Sequence, residues 1–261
     1  MASLPKSYNE RLVLRKASAE MEGSSLDKPL WILGQKVSVF IKGSPPTDAV
    51  IDARAVEKRF ALTIVALSDE RQDDTRERPL VIGSAYGDNL IDVRDNAPYA
   101  IVTFHGDDEI YLGPGGGGVT PGAGKNVVHA NSGPDKIAFY AAEKSRYEGG
   151  SEACLTTIRN FTPGQDVIEL NFSSTLALVS PEVQNEIDRV VAALGPTATL
   201  GEARRAVLGV DGVEDGQVFR FWHLGDTYIG ADNAERTTIR LTGILDLSPA
   251  DFDLEPFLIG S

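Results

Sequence analysis

FHGDDEIYLGPGGGGVTPGAGKNVVHANSGPDKIAF, from Phe104 to Phe139, carries a short pattern, G-x-[D/N/G]-x-[I/V], in strict register. Its copies are Gly106-Asp107-Asp108-Glu109-Ile110, Gly115-Gly116-Gly117-Gly118-Val119, Gly124-Lys125-Asn126-Val127-Val128 and Gly133-Pro134-Asp135-Lys136-Ile137, each nine residues after the last. A fifth copy, Gly87-Asp88-Asn89-Leu90-Ile91, lies upstream, displaced by one residue from that phase. A nine-residue step predicts a parallel β-roll, in which each unit is a glycine turn plus a very short strand and two units close one coil. Gly106, Gly115, Gly124 and Gly133 are expected at positive φ, where a Cβ would clash. Ile110, Val119, Val128 and Ile137 are expected to point inward, their β-branching suiting them to strands. The acidic or amide residue two places after each glycine faces the turn. Hard side-chain oxygens and turn carbonyls together suit calcium.

The stretch resembles the repeat of RTX (repeat-in-toxin) proteins, G-G-x-G-x-D-x-U-x with U apolar. Gly113-Pro114-Gly115, Gly122-Ala123-Gly124 and Asn131-Ser132-Gly133 supply much of the glycine-x-glycine half. The aspartate slot departs from the family pattern, holding Asp108, Gly117, Asn126 and Asp135 in turn. The resemblance implies calcium between turns one coil apart, which pairs Asp108 with Asn126 and Gly117 with Asp135. The implied metal-site residues are Asp88, Asn89, Gly106, Asp108, Gly124, Asn126 and Asp135. The alternative is a roll that has lost calcium and keeps only its packing.

Farther along, Thr156 to Leu170 reads TTIRNFTPGQDVIEL, a strand, a Pro-Gly turn and a strand. It resembles the I-x-D-F-x-x-G-x-D-x-I-D-L segment that ends the roll in many RTX proteins and covers its open hydrophobic end. Asn160 replaces the first aspartate of that segment and Asp166 keeps the second. An aromatic hairpin candidate around Gly225-Asp226, then Thr238 to Gly243 and Leu245 to Phe252, resemble the C-terminal domain of type I secreted RTX proteins, with bacterial S-layer proteins of the RTX kind nearest. The resemblance covers about residues 80–255.

Between these segments two helices are predicted. Ser180 is a candidate N-cap with Pro181 in the first turn, and Gly195 is a stop. Thr199-Leu200-Gly201-Glu202 is a capping-box pattern, and Gly209 is the second stop. Toward the N-terminus, Ile32-Leu33 and Val37 to Ile41 read as strand material. Phe60 to Leu67 reads as a strand or a buried helical segment, and length alone leaves both open. Ser68 to Arg78 is a charge-dense loop that serves as a soft boundary. The expected fold is therefore mainly β: a β-rich N-terminal module over 1–80, a calcium-type parallel β-roll over 81–142 and an α+β capping region over 143–261.

Composition limits function. The net charge of the 261-residue chain is -13, with a sequence pI of about 4.7, which argues against nucleic acid, since phosphate binding needs a basic face. The charge is uneven, with 13 basic and 12 acidic residues in 1–80 against 12 and 26 in 81–261. That acidity suits divalent cations or high-salt solubility. One cysteine, Cys154, rules out an internal disulfide framework. No apolar run reaches the roughly 18 residues of a membrane helix, and the first residues do not read as a cleaved secretory signal.

Enzyme motifs are missing. Gly122 to Asn126 lacks the earlier glycine and the final Ser or Thr of a phosphate loop. There is no H-E-x-x-H helix and no G-x-S-x-G elbow. His105, His129 and His223 match no familiar zinc spacing. The expectation is a non-enzymatic, calcium-binding structural or surface protein, extracellular or on a cell surface. Its protein partners would be other subunits, met by self-assembly or attachment through residues 1–80, with no membrane insertion. The alternative is a virion component, a capsid decoration or tail protein, carrying the same kind of domain.

Overall fold

The computed structural model describes residues 12–14, 18–26, 28–43, 49–56, 59–65, 79–84, 87–93, 98–140, 155–171, 176–214, 216–232 and 238–254. The strands run in chain order as β1 (Leu12–Leu14), β2 (Ser18–Glu22), β3 (Leu30–Gly34), β4 (Val37–Lys42), β5 (Val50–Val56), β6 (Phe60–Val65), β7 (Leu80–Ile82) and β8 (Asn89–Val93). There follow β9 (Tyr99–Val102), β10 (Glu109–Leu112), β11 (Gly117–Thr120), β12 (Val127–His129), β13 (Asp135–Tyr140), β14 (Thr156–Arg159), β15 (Val167–Asn171) and β16 (Ala177–Leu178). Helices α1 (Pro181–Ala192) and α2 (Leu200–Leu208) precede β17 (Gln217–His223), β18 (Asp226–Asp232), β19 (Thr238–Leu241) and β20 (Phe252–Asp253).

The protein is mainly β, built on two sheets rich in parallel pairs. The nine-stranded sheet has the order β1-β3-β5-β7-β9-β11-β13-β15-β20, and the eleven-stranded sheet β16-β17-β18-β19-β14-β12-β10-β8-β6-β4-β2. From β1 to β15 successive strands alternate between the sheets, and each pairs parallel with the strand two before it. Neither sheet breaks at residue 80, because β5 pairs with β7, β7 with β9 and β6 with β8.

The alternation follows from the side chains. Val37, Val39 and Ile41 are buried between exposed Ser38, Phe40 and Lys42. The same alternation puts Ile91, Ile110, Val128 and Ile158 inside from one sheet and Ile101, Val119, Ile137 and Ile168 from the other, all buried in one core. Burying such a side chain is worth about 1.5–3 kcal/mol, set against the entropy of ordering very short strands.

The Thr156–Leu170 segment differs from a simple strand-turn-strand unit. Its two strands join different sheets, β14 beside β12 and β15 beside β13, both parallel. The reason lies in Gly164-Gln165-Asp166-Val167-Ile168, which repeats the glycine-turn pattern after the insertion at 141–154.

At the C-terminal end the chain changes direction. Leu224 and Gly225 both take positive φ (49° and 86°) in a two-residue turn, and β17 and β18 form the antiparallel hairpin expected there. Val218 and Ile229 of the hairpin join the main core, while Phe219, Phe221 and Tyr228 pack with Ile187 and Val191 of α1 and Ala203 and Val207 of α2. Both helices start at the expected caps: Ser180 Oγ accepts from the Val183 N–H, and Thr199 and Glu202 form a reciprocal capping box. No helix among the described residues is long and apolar enough to cross a membrane.

Candidate functional site

Two columns of polar side chains run across the strands where the turns meet the sheets. In the first, strand pairing sets Leu90, Glu109 and Val127 abreast, which stacks the preceding residues Asn89, Asp108 and Asn126. All three are buried. Asp108 Oδ1 accepts the Asn89 N–H at 2.8 Å and the Asn89 Nδ2 amide at 2.7 Å. Asn126 Oδ1 accepts the Asp108 N–H at 3.0 Å. Each side-chain oxygen thus ties one turn to the turn before it. Thr156, also buried, follows on β14, where Val127 pairs with Thr157. Outside this column, Asp88 Oδ1 accepts the Asp107 N–H and Asp107 Oδ1 accepts the Lys125 N–H.

The second column lies at the other sheet. Gly117 pairs with Asp135, and pairing of Lys136 with Val167 puts Asp135 beside Asp166. Asp166 Oδ1 accepts the Asp135 N–H at 2.9 Å, and its Oδ2 accepts the Thr162 N–H at 2.8 Å. Asp135 Oδ2 accepts the Asn131 N–H at 3.0 Å. Asp251 extends the series, taking the Gly164 N–H on Oδ1 and the Ser248 N–H on Oδ2.

Glycine lets the turns stack. A Cβ on Gly124 would lie 2.0 Å from the Gly106 oxygen, and one on Gly106 would lie 2.7 Å from the Gly87 carbonyl. Gly106 and Gly124 take positive φ (118° and 140°). Gly115 and Gly133 do not; in their row Gly116 makes the bend, at 78°. Gly133 is required by proximity instead, since its Cβ would lie 2.2 Å from the Gly116 nitrogen.

The metal-site residues expected from the sequence therefore divide. Asn89, Asp108 and Asn126 stand together, with Gly106 and Gly124 in the same turns. Asp88 is exposed beside them, and Asp135 belongs to the other column. Calcium needs six to eight oxygens, and among the described residues no group of three or more His, Cys, Asp or Glu side chains is gathered at one point.

The fit to a hard cation differs from turn to turn. The Asn126 Nδ2 amide is engaged by the Pro121 and Gly122 carbonyls at 2.8 and 3.0 Å, and Asn89 Nδ2 by the Gly87 carbonyl at 3.0 Å. Those turns are closed by protein donors. Asp108 Oδ2 and Asp135 Oδ1, by contrast, are buried without a well-formed hydrogen bond, although the Thr103 hydroxyl lies near Asp108 and the Gly117 N–H near Asp135. Each of these carboxylates leaves a buried oxygen short of a donor.

Their titration reflects the same deficit. Burial pushes Asp108 up to about 7, eased by Thr103 and Asn89 and raised again by the charge of Asp88. Burial likewise pushes Asp135 up to about 7, eased by the Asn131 N–H and raised by Asp166. Asp166 is raised too, first by burial, with the Asp251 charge adding to it.

Sequence reading left Asp166 and Asp251 out of the site. The signal for Asp166 was the displaced G-x-D-x-I copy, and for Asp251 the Ser248-x-x-Asp251 spacing of a capping box. Thr103 carries no sequence signal.

One histidine, His129, belongs to a small cross-strand cluster. Tyr111 and His129 stack at 4.0 Å on neighbouring strands, the Tyr111 hydroxyl donates to Glu109 at 2.6 Å, and His129 Nε2 lies 3.3 Å from the same carboxylate. The Tyr111 bond, with His129 behind it, holds Glu109 below the usual carboxylate range. These rings lie in register between Asp92 and Arg159 as one more cross-strand row, beside an open polar groove of about 480 Å³. Cys154 lies outside the described residues. Compared with known proteins, the chain matches no family model and no curated sequence.

Proposed function

We propose that the chain is a non-enzymatic structural protein of the RTX kind: a calcium-type parallel β-roll with a helical C-terminal cap, displayed outside the cell as in an RTX-type surface layer. The observation that carries this is the register. Asp108 and Asn126, 18 residues apart, share one column, and Gly117 faces Asp135 at the same spacing. That is the pairing the repeat resemblance implies.

Asp108 and Asp135 are the residues that would hold calcium, since each buries an oxygen without a partner. A bound ion would supply positive charge to a buried carboxylate and link folding to the calcium level outside the cell. At a hundredfold excess over Kd such binding adds about 2.7 kcal/mol. Among the described residues, β1 and β2 are the outermost strands at the N-terminal end of the two sheets. Exposed strand edges suit pairing with other subunits, and this is the attachment end.

The test is calcium calorimetry joined to sedimentation on the same sample. Calcium uptake with formation of assemblies larger than one chain is the expected result. A chain that takes up no calcium and stays monomeric at every concentration would overturn the proposal.

A further inference from the structure

We propose that Asn89 and Asn126 do, inside their own turns, what a bound cation would do, so that metal capacity in this column is confined to Asp108. The two residue types occupy one slot in the repeat but solve its electrostatics differently. A turn that bends back on a sheet directs backbone carbonyls and N–H groups at the side chain in that slot, and both must be satisfied when buried. An amide carries an acceptor and two donors; a carboxylate carries acceptors alone.

The hydrogen bonds follow that inventory. Asn126 Oδ1 is fixed as the acceptor because the Asp108 N–H points at it. Its Nδ2 then faces the Pro121 and Gly122 carbonyls, five and four residues earlier, and donates to both. Asn89 repeats the solution: Oδ1 accepts the Ser84 N–H at 2.7 Å, while Nδ2 reaches the Gly87 carbonyl and Asp108 Oδ1. Asp108 accepts from Asn89 through Oδ1, and as a carboxylate it has no hydrogen to give. Its Oδ2 stays unpartnered, and so does the hydroxyl of Thr103, five residues earlier. Asparagine therefore places donors where a cation would otherwise meet turn carbonyls. The column runs amide, carboxylate, amide and then Thr156, whose buried hydroxyl is also unpartnered; of its Asn and Asp members only Asp108 needs something from solution.

Only the calcium arm of the test rests on the calcium proposal above. Thermal melts of the full chain are compared for the parent, Asn126→Asp and Asp108→Asn, in chelator and in millimolar calcium. Removing the amide donor should lower the Asn126→Asp midpoint in chelator by on the order of 5 °C, and calcium should restore it. Asp108→Asn should melt at or above the parent in chelator, because it removes a buried carboxylate and its new amide can donate to the Thr103 hydroxyl beside it.

An Asn126→Asp chain that melts with the parent in chelator would overturn the inference, and so would an Asp108→Asn chain that melts below it. If calcium moves the parent yet leaves Asn126→Asp low, amide and cation are not interchangeable and the inference also falls. If calcium moves no variant while both chelator results hold, the calcium proposal fails and the amide role stands. Should Asn126→Asp not fold, Asp108→Asn decides alone.

Discussion

Replacing Asp108 and Asp135 by asparagine together should remove most of the pH dependence of this protein's stability between pH 5.5 and 8. Each carboxyl is held at about 7 in the fold, against about 3.9 in an unfolded chain. Between those values the folded chain binds the extra protons, so stability falls as pH rises. The contribution is fully present below about pH 4 and lost by the time the pH passes 7. From pH 5.5 upward the loss is about 2 kcal/mol for each group, so about 4 kcal/mol for both. That is a large share of the roughly 5–15 kcal/mol typical of a folded domain. The net charge of -13 also grows more repulsive with pH, but it does so in parent and variant alike, and the difference between them isolates the two carboxyls. The assay is urea unfolding at both pH values in chelator, because a bound cation would keep the carboxylates charged and cancel the effect. A parent chain equally stable at pH 5.5 and pH 8, or a double variant that keeps the parent's slope, would refute the reasoning.

Other substitutions test the packing. Gly124→Ala sets a Cβ 2.0 Å from the Gly106 oxygen at a φ of 140°; the strained backbone alone costs about 1–3 kcal/mol, and urea midpoints should show at least that loss, whereas Gly225→Ala, with open space around its Cβ, should lose only the backbone term. Val128→Ala and Ile110→Ala, both fully buried, should each cost about 2–4 kcal/mol by the same assay. Thr199→Ala removes one half of the α2 capping box and should cost about 1 kcal/mol, with no change in calcium uptake.

Much of the centre was legible because its period is written in glycine and β-branched residues. Gly106, Gly124, Ile110 and Val128 occupy the expected places, and the 18-residue pairing of Glu109 with Val127 follows from the nine-residue step. Even the displaced fifth copy joins the same row, since Leu90 pairs with Glu109 across 19 residues. The N-terminal strands were harder to place. VSVFIK and VIDARAV are preceded by no copy of the G-x-[D/N/G]-x-[I/V] pattern, yet β4 and β5 join the same two sheets, because parallel pairing needs only backbone groups and an alternating apolar face. The insertion at 141–154 broke the phase and hid the copy at Gly164. The distinction between Asn126 and Asp108 was invisible for another reason: the sequence shows which residue fills a slot, but the partners of its second polar atom depend on how the turn is bent. The charge-dense stretch at 68–78 and Cys154 lie outside the described residues.

Residue-by-residue amide exchange tests the two columns most directly. Asn89, Asp108 and Asp135 donate their backbone N–H groups to side-chain oxygens of neighbouring turns. These three should exchange as slowly as the core-strand amides of Ile110 and Val128, and Asp108 alone should lose its protection when Asn126 is truncated to alanine. Exchange at those three positions as fast as at the exposed Leu224–Gly225 turn would contradict the account.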